Sequence, residues 1–526
     1  MNQIPANPAP ANQVFNIFRK DLRHHWREIA AALALLAGFV WIEVREWSRH
    51  GEVALGANAF IDQVLPTLIV PLLPISWIFL VVRAVQGESL VGDRQFWVTR
   101  PYDWTKLAAA KALFVLTFIN LPLFLADIIL LALAGFPPSR YLGGLLWMQA
   151  IWVVFLLLPA AALAAVTASI GQMLLALLLI ALFGIGFGVV AGQIPNSNFA
   201  GDVAAVYILL MLVTACVVLL MQYSRRKTAQ SRWLIAGLAV AVVLIMVATP
   251  YRTLIARAFP LATSAELPLQ LVLIPSQAPT PDEAVFTGNQ VPIRLPLSFS
   301  GLPKDSFVEL NGAILTLTNA QGGHWDSGWE GRYGLLFQDQ KIMDQTFYLK
   351  REVFEQMKSS PVHAQLVLAF ALYHDRNQRP LVVPRGEFSL PELGLCFAGS
   401  TRWNSPGNLN CRVPLRSPQF LLITSEVAAS TCPLSKNVPP ALPGELARGS
   451  VRNRDGGAAD PGISPVHLLN VYLSEWNSPN SRITPGICPG TPLTLSNPQE
   501  VSRSRIELQF DNLSLADYQQ GSRNPH

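Results

Sequence analysis

The chain has 526 residues, of which 51% are hydrophobic and 14% charged, where a soluble domain carries about 25% charge. The charge is unevenly placed: residues 1–260 hold 18 Lys+Arg and 11 Asp+Glu, and the 116 residues from Leu107 to Gln222 hold only Lys111, Asp127, Arg140 and Asp202. No water-facing surface is built from such a stretch, so the N-terminal half reads as a membrane domain and the C-terminal half as an unlike, more polar one.

A helix needs about 20 mostly apolar residues to cross the hydrocarbon layer. Seven segments meet or approach this: roughly 29–47, 61–85, 107–134, 143–167, 170–192, 203–222 and 233–250. Ahead of them, Val14–Glu28 places Val14, Phe18, Leu22, His25 and Ile29 on one helical face, with Arg19, Lys20, Arg23 and Arg27 largely off it. That pattern predicts an amphipathic helix in the membrane interface. With the N-terminus inside, the inner segments 1–28, 86–106, 168–171 and 223–232 contain 11 Lys+Arg and the outer loops 45–60, 135–142 and 193–203 contain three. The bias fixes the orientation, and seven crossings carry the C-terminal half to the periplasm or cell exterior. The expected organisation is a cytoplasmic N-terminus over 1–28, a transmembrane domain over 29–250 in a bacterial-type inner membrane, and an extracytoplasmic domain over 251–526.

The excess positive charge thus belongs to the ends of spans. There is no basic run with interleaved aromatics, and nucleic-acid binding is excluded. Within the spans, ionisable groups are costly and face protein or water. Asp127 in the third span, after the break at Asn120-Leu-Pro122, is the candidate intramembrane polar site, with Asn120. The glycines of Gly184-Ile-Gly186-Phe-Gly188 lie in an apolar helix, where small residues serve close packing rather than a nucleotide.

In the C-terminal half, apolar residues fall on alternate positions at Ile293–Phe299, Leu366–Leu372 and Ile506–Phe510, the signature of strands with one buried face. Asn311-Gly312 within 306–318 predicts a tight hairpin turn. Further strands are expected near 269–274, 345–350, 386–395, 419–426 and 466–474, with one short helix at Arg351–Lys358. The fold class is therefore an α-helical polytopic membrane domain of about seven helices followed by an all-β, sandwich-like domain. The segment 433–465, with six prolines and five glycines, is expected to be a long loop.

Cys396, Cys411, Cys432 and Cys488 all fall in this half, an even number that suits an oxidising compartment and up to two disulfides. Cys396–Cys411 closes the shortest loop; Cys216 lies within the sixth span. No metal-binding, hydrolase or P-loop motif occurs, so no cofactor, metal or catalytic residue is expected. In Gly323-His-Trp-Asp-Ser-Gly-Trp329, His324, Asp326 and Ser327 are neighbours whose side chains diverge, which argues for aromatic decoration of a loop rather than a catalytic site. His363, His374 and His467 read as structural.

The segment Lys20-Asp21-Leu22-Arg23 and the loop 86–111, with Glu88, Asp93, Trp97, Thr99-Arg100-Pro101, Trp104 and Lys111, resemble the membrane permease subunits of ABC transporters of the type-2 exporter class. The resemblance covers about residues 12–250. It implies that Glu88, Asp93, Trp97, Arg100, Pro101 and Trp104 form a docking loop for a separate ATPase, and that two copies or a sister permease line the pathway. Two features depart from the family pattern: the loop reads Glu88-Ser-Leu-Val-Gly92-Asp93, and a seventh span delivers the exported domain. The competing reading from the residues is a membrane-anchored sensor or scaffold that displays the β-domain without transport.

Overall fold

The computed structural model describes residues 10–48, 64–87, 103–191, 204–248, 251–263, 267–275, 289–391, 393–399, 408–415, 420–426, 446–452, 463–471, 473–475 and 486–519. The chain forms two compact units. One comprises Met1–Phe183, Ala205–Val243 and Pro380–Leu495, the other Gly184–Ala204, Leu244–Arg379 and Ser496–His526.

The N-terminal region is helical: α1 (Pro10–His24), α2 (Trp26–Ser48), α3 (Leu65–Gln86), α4 (Trp104–Leu133), α5 (Leu142–Val166), α6 (Ile170–Ala191), α7 (Ala204–Arg225) and α8 (Thr228–Ala248). Five of these, α3, α4, α5, α7 and α8, contain stretches long and apolar enough to cross a membrane. Helix α2 spans one predicted segment, yet carries Glu43, Arg45 and Glu46 in its last turns, and in α6 the apolar stretch is the shorter Ile170–Gly186.

The helical core is built from Ile29 and Phe39 of α2, Leu73, Trp77 and Leu80 of α3, Phe114, Leu123 and Leu130 of α4, and Leu145 and Trp152 of α5. Both α4 and α5 are interrupted by a π-helical turn, at Leu116–Asn120 and Val153–Leu157. Each turn ends two residues before a proline, Pro122 or Pro159. A proline has no N–H to donate and its ring displaces the carbonyl one turn earlier, and the wider turn accommodates that displacement.

Helix α4 ends in a Schellman cap. Gly135 at φ +88° lets its own N–H reach Ala132 O at 3.1 Å and the Phe136 N–H reach Leu131 O at 2.9 Å, which satisfies carbonyls that a helix end leaves open. The cap turns Phe136 and Tyr141 back onto the helical core, where they meet Leu395, Leu415, Ile463 and Val466 of the β-rich segment 380–495. At the other end of α4, Leu107 and Ala110 pack against Ile17 of α1 and Tyr223 of α7. Within this unit, therefore, α1 and the β-rich segment occupy opposite ends of α4.

The β-rich part of the first unit contains β8 (Arg379–Val382), β9 (Glu387–Leu390), β10 (Gly394–Gly399), β11 (Asn408–Pro414), β12 (Phe420–Glu426), β13 (Leu446–Arg452), β14 (Val466–Val471), β15 (Ser474–Glu475) and β16 (Pro492–Ser496). They form a sheet ordered β14-β11-β10-β9 and a sheet ordered β15-β13-β12-β16-β8 around one apolar core that includes Leu409, Cys411, Leu421, Ile423 and Leu493. Strand β13, antiparallel to β12, lies inside 433–465 and corrects the expectation of one uninterrupted loop there. Leu446-Ala-Arg-Gly-Ser450 has no alternation of apolar residues, so nothing in its periodicity marks it as a strand.

The second unit contains α9 (Tyr251–Ala258), β1 (Gln270–Leu273), β2 (Gln290–Ser300), β3 (Ser306–Asn319), β4 (His324–Asp326), β5 (Glu330–Phe337), β6 (Ile342–Lys350), α10 (Arg351–Met357), β7 (Val362–His374) and β17 (Gln499–Leu513). A β1-β2-β6 sheet and a β17-β7-β3-β4 sheet, with β5 also on β3, enclose a core that includes Ile293, Leu295, Leu315, Phe347, Leu366 and Phe370. The C-terminal half is thus all-β but consists of two sandwich-like modules, the one built from β8–β16 being inserted in sequence between β7 and β17 of the other. Sequence periodicity identifies strands and not their partners, so one module was expected.

Asn311-Gly312 does not turn the chain. Strand β3 runs through it with a bulge between Leu310 and Gly312. The glycine is required because a Cβ there would lie 2.2 Å from the Trp329 ring, and an extra residue in a bulge is a common home for glycine in a strand.

Candidate functional site: buried polar contacts among the helices

Asp21 lies on the buried face of α1 with Ile17 and His25, a register turned from the Val14–Phe18–Leu22 face expected from the sequence. The reason is Lys111 of α4, whose Nζ lies 2.6 Å from Asp21 Oδ2, with side-chain exposures of 7% and 6%. A charge this deeply buried is tolerated only when paired. The pair fastens the interface helix to α4.

Three further polar contacts gather at the same end. Glu28 of α2 faces Arg83 of α3 at 3.6 Å. Gln86 Nε2 donates to Thr167 Oγ1 at 2.9 Å. Arg232 of α8 donates to Val166 O through Nε at 3.2 Å and Nη2 at 3.0 Å, capping the open C-terminal carbonyls of α5. These contacts tie α2 to α3, α3 to the end of α5, and α5 to α8, while Asp21–Lys111 joins α1 to α4.

His25 sits in the middle of this belt, 2% exposed, its Nδ1 3.9 Å from Glu28 Oε1 and its ring edge-on to Phe114. Burial and neighbouring His24 hold the imidazole below its ordinary value of 6.5; Glu28 and Asp21 oppose this, and Arg83 adds to it. A histidine whose folded value is lowered binds fewer protons than the unfolded chain, so stability is full above 6.5 and is lost as pH falls through that value. Thermal unfolding of the purified protein on either side of 6.5 should show this loss in wild type and a flatter profile in His25→Gln. Equal pH dependence in both would contradict the assignment.

The connection between α3 and α4 issues from this end. Of the docking residues expected from the sequence, Glu88, Asp93, Trp97, Arg100 and Pro101 lie outside the described residues. Trp104 is the first residue of α4 and 42% exposed. Asp103 caps that helix, its Oδ1 accepting from Thr105 N at 3.2 Å; hydrogen bonding from the Thr105 side chain, and then from its N–H, holds the Asp103 carboxyl below the usual range.

A second polar group lies inside the helical core. Asn120, at the end of the α4 π-turn, donates through Nδ2 to Gln149 Oε1 at 3.1 Å, and Gln149 Nε2 donates to Asp127 Oδ2 at 3.2 Å. Asp127 is fully buried, Asn120 7% and Gln149 8% exposed. Asn120 and Asp127 are seven residues apart on one face of α4, so a single glutamine from α5 bridges them. Sequence reading found Asn120 and Asp127 and missed Gln149. It also missed the Asp21–Lys111 pairing and Arg232. An intramembrane glutamine facing a predicted intramembrane aspartate was the available signal for the first; nothing in one sequence pairs Asp21 with Lys111.

Among the cysteines, Cys396 and Cys411 are directly opposed on β10 and β11 and form a disulfide. Cys488 is disulfide-bonded as well, Cys432 lies outside the described residues, and Cys216 is a free, exposed thiol. Thiol labelling of the denatured, unreduced protein should modify Cys216 alone, and reduction should cost the C-terminal half about 2–5 kcal/mol. Labelling of four or five thiols would overturn this.

In the second unit, His324, Asp326 and Ser327 do not converge on a site. Asp326 pairs with Arg252 and accepts from Gly328 N, and Ser327 Oγ accepts from Leu315 N and donates to Gly328 O, so both shape the turn. His363 pairs with Asp511, and His374 Nδ1 lies 2.6 Å from Ser306 Oγ. His374 borders a polar cleft of about 380 Å³ that is also lined by Lys304, Asp305, Asp375, Arg376 and Gln378. No group of three or more His, Cys, Asp or Glu suited to a metal ion occurs among the described residues.

These features define a protein with a helical region containing five candidate spans and an all-β C-terminal region with a disulfide. Comparison of the chain with protein-family models and with curated proteins gives no match to either.

Proposed function

We propose that this chain is the membrane-spanning subunit of an ATP-driven ABC-type exporter, working with a separate ATPase subunit that docks on the loop 86–106. In this reading helices α2 to α8 cross an inner membrane seven times, the α1 end faces the cytoplasm, and both β modules lie outside. The observation that carries it is the belt formed by Asp21–Lys111, Glu28–Arg83, Gln86–Thr167 and Arg232–Val166. Force applied to a connection that joins α3 directly to α4 would pass through this belt to α1, α2, α5 and α8 rather than dissipate in one loop. The topology gains support from α1 and the β-rich segment 380–495 meeting opposite ends of α4, and from a disulfide in that segment.

The test is the double change Trp97→Ala with Arg100→Glu, which removes an apolar anchor and reverses a charge that would set partner choice. The variant should insert and accumulate yet lose a copurifying ATPase. Retention of the ATPase with unchanged ATP turnover would contradict docking at this loop. The second reading, a sensor or scaffold that displays its β modules, is favoured by the polar cleft around His374; it expects no ATPase partner and tolerance of charge reversal in loop 86–106.

A further inference from the structure

The α1 end carries more positive charge than the polar belt uses. Helix α1 presents Arg19, Lys20 and Arg23 to the exterior, and Phe15, 60% exposed, lies on the same stripe as Arg19 and Arg23. Val14 and Ile17 of α1 pack with Tyr223 of α7. Two residues beyond Tyr223 the chain turns sharply from α7 into α8 through Arg225-Arg226-Lys227, all three exposed. Packing of Tyr223 on α1 therefore brings two basic groups, distant in sequence, onto one surface.

That turn is built at a cost. Arg226 adopts φ +51°, a left-handed conformation that glycine takes freely and other residues rarely do, and three consecutive cations repel one another. The carboxylates described at this end are committed elsewhere: Asp21 to Lys111, Glu28 to Arg83, and Asp103 to capping α4. Among the described residues Arg19, Arg23, Arg225, Arg226 and Lys227 have no ion-pair partner. Among the described residues no carboxylate supplies the compensating negative charge.

We infer that this surface binds anionic phospholipid headgroups, with Arg225, Arg226 and Lys227 and the Arg19–Arg23 stripe of α1 contacting the same lipid phosphates, and with Phe15 set into the headgroup boundary. Anionic lipid is the occupant that the position dictates. An amphipathic helix at the end of a spanning bundle lies at headgroup depth, and basic clusters next to spans draw anionic lipid. The bound lipid bridges α1 to the α7–α8 turn, so it stabilises the seat of α1 on α4. The inference rests on the membrane reading alone and needs no ATPase.

The full chain, placed in nanodiscs of phosphatidylcholine with or without phosphatidylglycerol, tests it by thermal unfolding and by native mass spectrometry of retained lipid. Phosphatidylglycerol should raise the wild-type Tm, less so in high salt, and should remain bound. Each neutralised cation should weaken lipid retention about five-fold, in Arg19→Gln/Arg23→Gln and in Arg225→Gln/Lys227→Gln alike. Arg226→Gly removes a charge while suiting the turn, so it should weaken retention without loss of fold. A secreted-reporter fusion after His526, still active in each variant, shows that insertion is unchanged. Equal stabilisation by phosphatidylcholine alone, or wild-type retention of phosphatidylglycerol in all three variants, would overturn the inference. So would variants that keep the lipid and instead release a bound protein, since the surface would then be a protein interface.

Discussion

Lys111→Ala should be among the most damaging single changes in the helical unit, costing about 3–5 kcal/mol. It leaves Asp21 as a charge without a partner in a site where its side chain is 6% exposed. Asp21→Ala should cost a comparable amount from the other side of the pair. The two effects should not add. In Asp21→Leu/Lys111→Met both charges are gone and the volume is filled, and replacement of a buried pair by apolar residues is often neutral or stabilising by roughly 1–4 kcal/mol. Denaturant unfolding in one detergent of wild type, Asp21→Leu, Lys111→Met and the double variant closes the cycle and gives the coupling directly. Additive losses in the double variant would show that the pair does not hold α1 on α4.

Gly312→Val should destabilise the second unit by about 1–3 kcal/mol or more. The new Cβ would meet three carbons of the Trp329 ring, at 2.2, 2.5 and 2.6 Å. Trp329 is held in turn by Ile255, Ile314 and Ala369, so the ring cannot swing aside without disturbing them. Gly334→Ala in neighbouring β5 is the control, because a Cβ there meets nothing within 4 Å; its effect should stay within about 0.5 kcal/mol. Similar losses in both variants would mean that the close approach of Trp329 is not what fixes glycine at 312.

These two sites mark the boundary between what could be read in the sequence and what could not. The near-absence of charge from Leu107 to Gln222 sufficed to place helices, because hydrocarbon tolerates few charges anywhere along a span. The period-two runs at Ile293–Phe299 and Leu366–Leu372 sufficed to place strands. Cys396 and Cys411 were paired from loop length alone, and they face each other in register. Asn311-Gly312 misled because the same dipeptide serves a tight turn or a bulge, and only the ring of Trp329, 17 positions away, decides between them. The insertion of one β module into another was invisible for a related reason. Antiparallel pairing of β7 with β17 joins residues more than a hundred positions apart, and alternation of side chains carries no record of that partner.

The polar groups divide along the same line. Asp127 and Asn120 stood out because each is conspicuous in its own apolar neighbourhood. Asp21 did not, since an aspartate among arginines on an amphipathic helix reads as surface, and its burial depends on Lys111 arriving from a different helix. Charge location is legible locally; charge pairing is a property of the packed bundle.

In the proposed reading the α1 end and its belt lie inside and both β modules outside. A reporter active only outside the cytoplasm, fused in turn after His526 and within the α7–α8 turn at 225–228, measures this directly. Activity after His526 with silence at the turn is the predicted result. A silent fusion after His526, or an active one at the turn, would contradict seven crossings and with them the placement of the ATPase on loop 86–106.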